Sequence, residues 1–73
     1  MEKLVEILKK YNPDVDYYTN EHIIDEEALD SFDIISLVAD IDREFDVEIT
    51  AKDIIPENFN SAKKIYELIE RLS

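Results

Sequence analysis

Three amphipathic stretches, separated by clear stop and start signals, predict an all-α domain: a bundle of three main helices plus one short helix, with a long loop after the first. The stretches carry apolar residues at helical spacing: Leu4, Ile7, Leu8 and Tyr11, then Ile34, Leu37, Val38, Ile41 and Phe45, then Ala62, Ile65, Leu68, Ile69 and Leu72. Asn12-Pro13 stops the first of them, Asp30 opens the second and Ser61 opens the last. The one alternating run, Val47-Glu48-Ile49, is too short for a convincing strand and has no run nearby to pair with.

The first helix is expected over residues 2–11, with Val5 at the edge of its stripe and Lys9 and Lys10 in the last turn, where cations suit the helix dipole. From Asn12 to Leu29 no period is sustained. Such a connection belongs in a small domain only if it packs, and Val15, Tyr17, Tyr18, Ile23, Ile24 and Leu29 are its anchors, with room for one short helical turn. The chain has no glycine, so any residue with positive φ is expected to be Asn or Asp. The second helix runs from Ser31 to Phe45. Thr50-Ala51-Lys52-Asp53 reads as a capping box opening a short third helix that ends at Ile54-Ile55, before Pro56. Residues 56–60 then form a loop, and Ser61 caps the fourth helix.

With 73 residues the chain is a single domain, 1–73, too small for an enzyme core plus a substrate cleft. A domain of this size buries only about 60% of its unfolded surface, so a stability of roughly 3–5 kcal/mol is expected. No cysteine is present to staple it. No apolar run reaches membrane-spanning length and no secretory signal opens the chain, so a soluble, cytoplasmic monomer is the expectation. Nineteen acidic residues against 8 basic ones give a net charge of −11. That balance disfavours nucleic acid, favours basic partners and makes the fold self-repulsive at low salt. A hydrophobic fraction of 45% is too high for a disordered acidic tail.

The second helix has more apolar surface than a core stripe needs. Phe32, Ile35 and Ala39 form a second cluster, roughly 140° around the helix from Ile34, Leu37, Val38, Ile41 and Phe45. Asp33, Asp40 and Glu44 flank that cluster on one side, Asp42 and Asp46 on the other. The cluster either packs under the preceding loop or forms a patch ringed by carboxylates that a basic partner covers, and docking is the favoured reading.

Independent catalysis has little support. His22 is the one histidine and lies in the long connection, so no Ser–His or Cys–His pair is in place, and the abundant carboxylates reflect an acidic surface rather than an acid–base site. Zinc ligands and an EF-hand ladder are missing, and no metal site is expected. The remaining candidate is Ser31. Asp30 and Asp33 form a capping box around it, which puts its hydroxyl in the first turn of the second helix. From capping chemistry alone, a serine there is a helix-start residue.

The surrounding residues say more. Leu29-Asp30-Ser31-Phe32-Asp33, followed by Leu37-Val38 and Glu44-Phe45-Asp46, resembles the modification site and second helix of acyl carrier proteins, and the likeness extends over nearly the whole chain. The resemblance implies an acyl-carrier-like four-helix bundle that does no catalysis itself. It implies that a phosphopantetheinyl transferase attaches a 4'-phosphopantetheine arm to Ser31, with Asp30 beside it, and that the arm carries acyl thioesters in fatty-acid, polyketide or related biosynthesis. It also implies a recognition surface made of Phe32, Asp33, Ile35, Ser36, Ala39, Asp40, Arg43 and Glu44, read by acyl or aminoacyl ligases, synthases and transferases with basic docking patches. The chain departs from the family pattern at four places. Glu27 stands where many members have glycine, Ser36 and Arg43 stand where fatty-acid carriers are commonly acidic, and Ala39 replaces the usual methionine. Leu29-Asp30-Ser31 is as similar to D-alanyl or other aminoacyl carriers, which work with an adenylating ligase. An unmodified acidic helical adaptor binding a basic partner is the alternative of another class.

Overall fold

The computed structural model describes residues 2–73, and among them the chain is all-helical, with no strand. Helix α1 spans Glu2–Tyr11, α2 Ser31–Phe45, α3 Pro56–Phe59 and α4 Ala62–Leu72, with a 3-10 turn at Ala51–Asp53 between α2 and α3. Helix α1 packs against α2 and α4, and α3 packs against α4. The core is built from the predicted stripes: Leu4 and Leu8 of α1, Leu37 and Ile41 of α2 and Ile65 of α4 are all completely buried. Ile34, Val38 and Phe45 are partly buried at the edge of the same core, and Leu72 ends the α4 stripe exposed.

The long connection packs as expected through five of its six anchors, with Val15 and Ile24 partly buried against the core. Tyr17, Ile23 and Leu29 are buried, and the Tyr17 hydroxyl donates to the carbonyls of Leu8 (3.2 Å) and Asn12 (2.7 Å). Tyr18 does not serve as an anchor: it is exposed beside the buried Tyr17. The short helical turn for which the connection has room takes the form of isolated single turns, closed by the Asn20 N–H to the Asp16 carbonyl (2.9 Å) and the Glu26 N–H to the His22 carbonyl (2.8 Å). The Asn12 side-chain amide donates to the Ala28 carbonyl (2.8 Å) and so ties the two ends of the connection together.

The third helix lies elsewhere than the sequence reading put it. Thr50 and Asp53 do interact, the Asp53 carboxylate accepting from both the N–H and the hydroxyl of Thr50 at 3.2 and 3.1 Å. They close a single 3-10 turn. Pro56 is the reason: it forces the preceding residue out of the helical region, and Ile55 is extended at φ −127, ψ 152. The same proline is pre-organised for a first helical position, so α3 begins at Pro56, where a loop was expected.

Among the described residues two have positive φ, Asp46 and Glu27, at 54° and 55°. Asp46 is the left-handed C-cap of α2, and its N–H bonds back to the Asp42 carbonyl. Glu27 breaks the expectation that such positions fall on Asn or Asp. An ordinary side chain is there held in a conformation that costs roughly 1–2 kcal/mol. Glu27→Gly removes that cost and restores part of it as backbone entropy. We expect a net gain of about 0.5–1 kcal/mol, at roughly 4–8 °C of Tm per kcal/mol for a domain this size. Calorimetry checks this; a lower Tm for the variant would show that Glu27 makes compensating contacts.

Candidate functional site

Ser31 is the first residue of α2 and is exposed. The Asp33 N–H donates to Asp30 Oδ1 at 2.8 Å, and the Asp30 N–H donates to Asp33 Oδ2 at 3.3 Å, so the capping box closes around the serine from both sides. Those bonds fix the backbone on either side of Ser31 and leave its side chain pointing out of a rigid helix start. Beside it lies an open, largely apolar cleft of about 290 Å³. Ile34 and Ile35 of α2 form one wall, Ile24 and Leu29 a second, and Ile54, Ile55, Pro56 and Phe59 a third. The sequence reading passed over this third wall. Its signal was Ile54-Ile55 next to a proline, two isoleucines in a stretch too short to bury both; they are in fact 37% and 41% exposed.

The two faces of α2 separate cleanly. Phe32 and Ile35 are 81% and 66% exposed, and Ser36 and Ala39 are exposed beside them. The second apolar cluster is therefore open and does not pack under the long connection.

Four of the five carboxylates flanking that face, Asp33, Asp40, Asp42 and Glu44, are engaged within the molecule. Asp33 belongs to the capping box. The Asp40 side chain is only 13% exposed and accepts from the Tyr11 hydroxyl, from Arg43 (2.8 Å) and from Lys10 (3.3 Å). Glu44 pairs with Lys3 at 3.1 Å, and the Lys3 ammonium also lies 5.8 Å from the centre of the Phe45 ring. Asp42 accepts the Ile49 N–H at 3.0 Å and so fixes the turn that follows α2. Arg43 is correspondingly no isolated positive charge on an acidic face; it neutralises Asp40. The bond to Asp40 pushes the Tyr11 hydroxyl up to about 12, with burial acting in the same direction. Its counterpart is a lowered Asp40 carboxyl: the hydrogen bond from Tyr11 lowers it most, and Arg43 and Lys10 add to this against the opposing effect of burial. Burial raises Tyr17 above its ordinary value.

His22 is exposed, and its Nδ1 lies 3.3 Å from the Asp25 carboxylate. Among the described residues no cluster of three or more potential metal ligands occurs, and no helix is long and apolar enough to cross a membrane.

A four-helix bundle that presents one exposed serine at a capped helix start, beside an apolar cleft, has the shape of a small carrier module. The family model for the phosphopantetheine attachment site matches residues 1–72, and the chain belongs to that family, the carrier proteins of the acyl-carrier type. A search of curated proteins finds no match. Domains of this family are non-catalytic carriers, their cofactor is 4'-phosphopantetheine, and they work with partner enzymes.

Proposed function

We propose that this chain is an acyl carrier protein whose arm is attached to Ser31 by a phosphopantetheinyl transferase. The observation that carries this reading is the pairing of an exposed serine hydroxyl, at the first position of a capped helix, with a 290 Å³ apolar cleft beside it. The residues around Ser31 suit the group. Unpaired N–H groups at the start of α2 favour a phosphate diester, while Asp30 keeps negative charge next to it and directs the arm outward. The group, when bound, supplies a terminal thiol on which an acyl unit is held as a thioester. The protein's own part is to orient that arm, shelter an apolar cargo in the cleft and present Phe32, Ile35, Ser36 and Ala39 to partner enzymes.

A cleft with apolar walls favours hydrocarbon cargo, and hence fatty-acid, polyketide or related synthesis in the cytoplasm. An aminoacyl cargo such as D-alanine is the second reading. It is favoured by Leu29-Asp30-Ser31 and by the charge-compensated flank of α2, where Lys10, Arg43 and Lys3 offset Asp40 and Glu44. A basic partner finds less net charge on that flank than the sequence suggests, so docking leans on the apolar Phe32/Ile35 face.

Incubation with coenzyme A and a broad-specificity transferase is expected to add one phosphopantetheine to the wild type and none to Ser31→Ala, read by intact mass. A Ser31→Ala protein that still gains the arm, or a wild type that never does, would leave the unmodified adaptor as the better account. Loading the modified carrier with acyl and aminoacyl ligases in parallel separates the two cargo classes.

A further inference from the structure

We propose that Asn60 is a positioning residue that sets the width of the cleft beside Ser31, and through it the length of cargo the cleft shelters; the proposal rests on the carrier reading above. Two walls of the cleft come from segments far apart in sequence, Ile24 and Leu29 on one side and Ile54, Ile55 and Phe59 on the other. Asn60, the C-cap of α3, follows Phe59 directly and bridges them. Its carbonyl accepts the Ile23 N–H at 2.9 Å, and its side-chain Oδ1 accepts two successive amides, Ile24 at 2.9 Å and Asp25 at 3.1 Å. Its Nδ2 completes the set with a long bond to Asp25 Oδ2, 3.4 Å.

Every one of these bonds joins the long connection to the end of α3. One of them holds the amide of Ile24, a cleft wall, next to Phe59, another cleft wall. Ile34 and Ile35 belong to a 15-residue helix, in the part that the capping box fixes at its start, and form the rigid wall. The walls that remain, the connection and the Ile54-Ile55 segment before α3, are irregular backbone, and Asn60 pins the connection to the end of α3.

The volume makes the latch consequential. A 150 Å³ apolar cavity holds one benzene, so 290 Å³ accommodates on the order of ten to twelve non-hydrogen atoms. Cargo beyond that either stays in water or pushes the connection away from α3. In the second case the side-chain bonds to Ile24 and Asp25 break first. The Ile23 bond to the Asn60 carbonyl, which no side-chain change removes, remains as the hinge.

Amide hydrogen exchange on the arm-bearing protein, loaded with straight-chain acyl groups of increasing length, tests this, with intact mass confirming each load. Exchange at Ile24 and Asp25 is expected to stay constant for short chains and to accelerate roughly tenfold or more once the chain overfills the cleft, with Leu8 and Leu68 unchanged. In Asn60→Ala the two amides exchange fast at every length. Combining Asn60→Asp with Asp25→Asn exchanges donor and acceptor across the latch and restores the length dependence, which a merely structural loss would not recover. Constant exchange at Ile24 and Asp25 across all lengths in the loaded wild type overturns the latch, whether or not Asn60→Ala folds, and leaves the carrier reading standing. A Ser31 that never takes the arm overturns both.

Discussion

Leu37→Ala is expected to unfold much of the population of this domain at ambient temperature, whereas Ile35→Ala, two residues away, leaves it folded. Leu37 is completely buried between α2 and the rest of the core, while Ile35 is 66% exposed. Truncating a buried leucine removes its transfer free energy and leaves a cavity, together about 2–5 kcal/mol. A domain of this size without disulfides holds roughly 3–5 kcal/mol in total, so the loss approaches the whole. At Ile35 there is little burial to lose, and a shift of about 0.5 kcal/mol or less is the ordinary surface result. Urea unfolding followed by circular dichroism reads both. If partners dock on the exposed Phe32/Ile35 face, as proposed above, the Ile35 variant folds normally yet takes up the arm, or passes on its cargo, more slowly. Comparable destabilisation at the two positions would show that the faces of α2 are not separated as the structure has them.

That separation was legible in advance because a 3.6-residue period fixes which side chains share a face, whatever the rest of the chain does. The Asp30–Asp33 capping box was legible for the same reason: its bonds are local, three residues apart. What escaped the sequence reading was of three kinds. Pro56 is ambiguous locally, since it both ends one segment and is suited to begin another, and the outcome depends on Phe59 finding a place in the core. Asp40 looks, by spacing, like one more acid on a solvated rim. Its actual setting depends on Tyr11, 29 positions away, and on Lys10, neither of which any local pattern connects to it. Asn60 is the same case at greater range, its amide partners lying 35 and 36 residues back. Glu27 is different again. A glycine there would have announced the left-handed backbone, and a glutamate gives no such signal.

Asp40→Asn is expected to cost about 2–3 kcal/mol and to return the Tyr11 hydroxyl toward its ordinary titration range. The asparagine keeps an oxygen for the Tyr11 hydroxyl but loses the charge that three donors share. A hydrogen bond to a charged group contributes about 1.5–3 kcal/mol. The pairs with Arg43 and Lys10 add little, because those side chains are 66% and 60% exposed and such pairs are worth at most about 1 kcal/mol each. The pH dependence has a definite sign at each end. The Asp40 carboxyl is lowered in the fold, so its contribution is present above the unfolded value of about 3.9 and disappears as pH falls through the lower folded value. The Tyr11 hydroxyl is raised to about 12, so its contribution is complete below the unfolded value of about 10 and is lost as pH rises through 12. The stability gap between wild type and Asp40→Asn is therefore widest between these limits. It closes in acid, where a protonated Asp40 resembles the asparagine, and narrows again in strong base. Thermal melts of both proteins across pH, with ultraviolet titration of tyrosine ionisation, measure the two effects separately. If the tyrosine step near 12 persists in the variant, burial alone holds Tyr11 there and the bond to Asp40 is not its cause. A constant gap into acid would mean that Asp40 contributes packing rather than charge to the contact between α1 and α2.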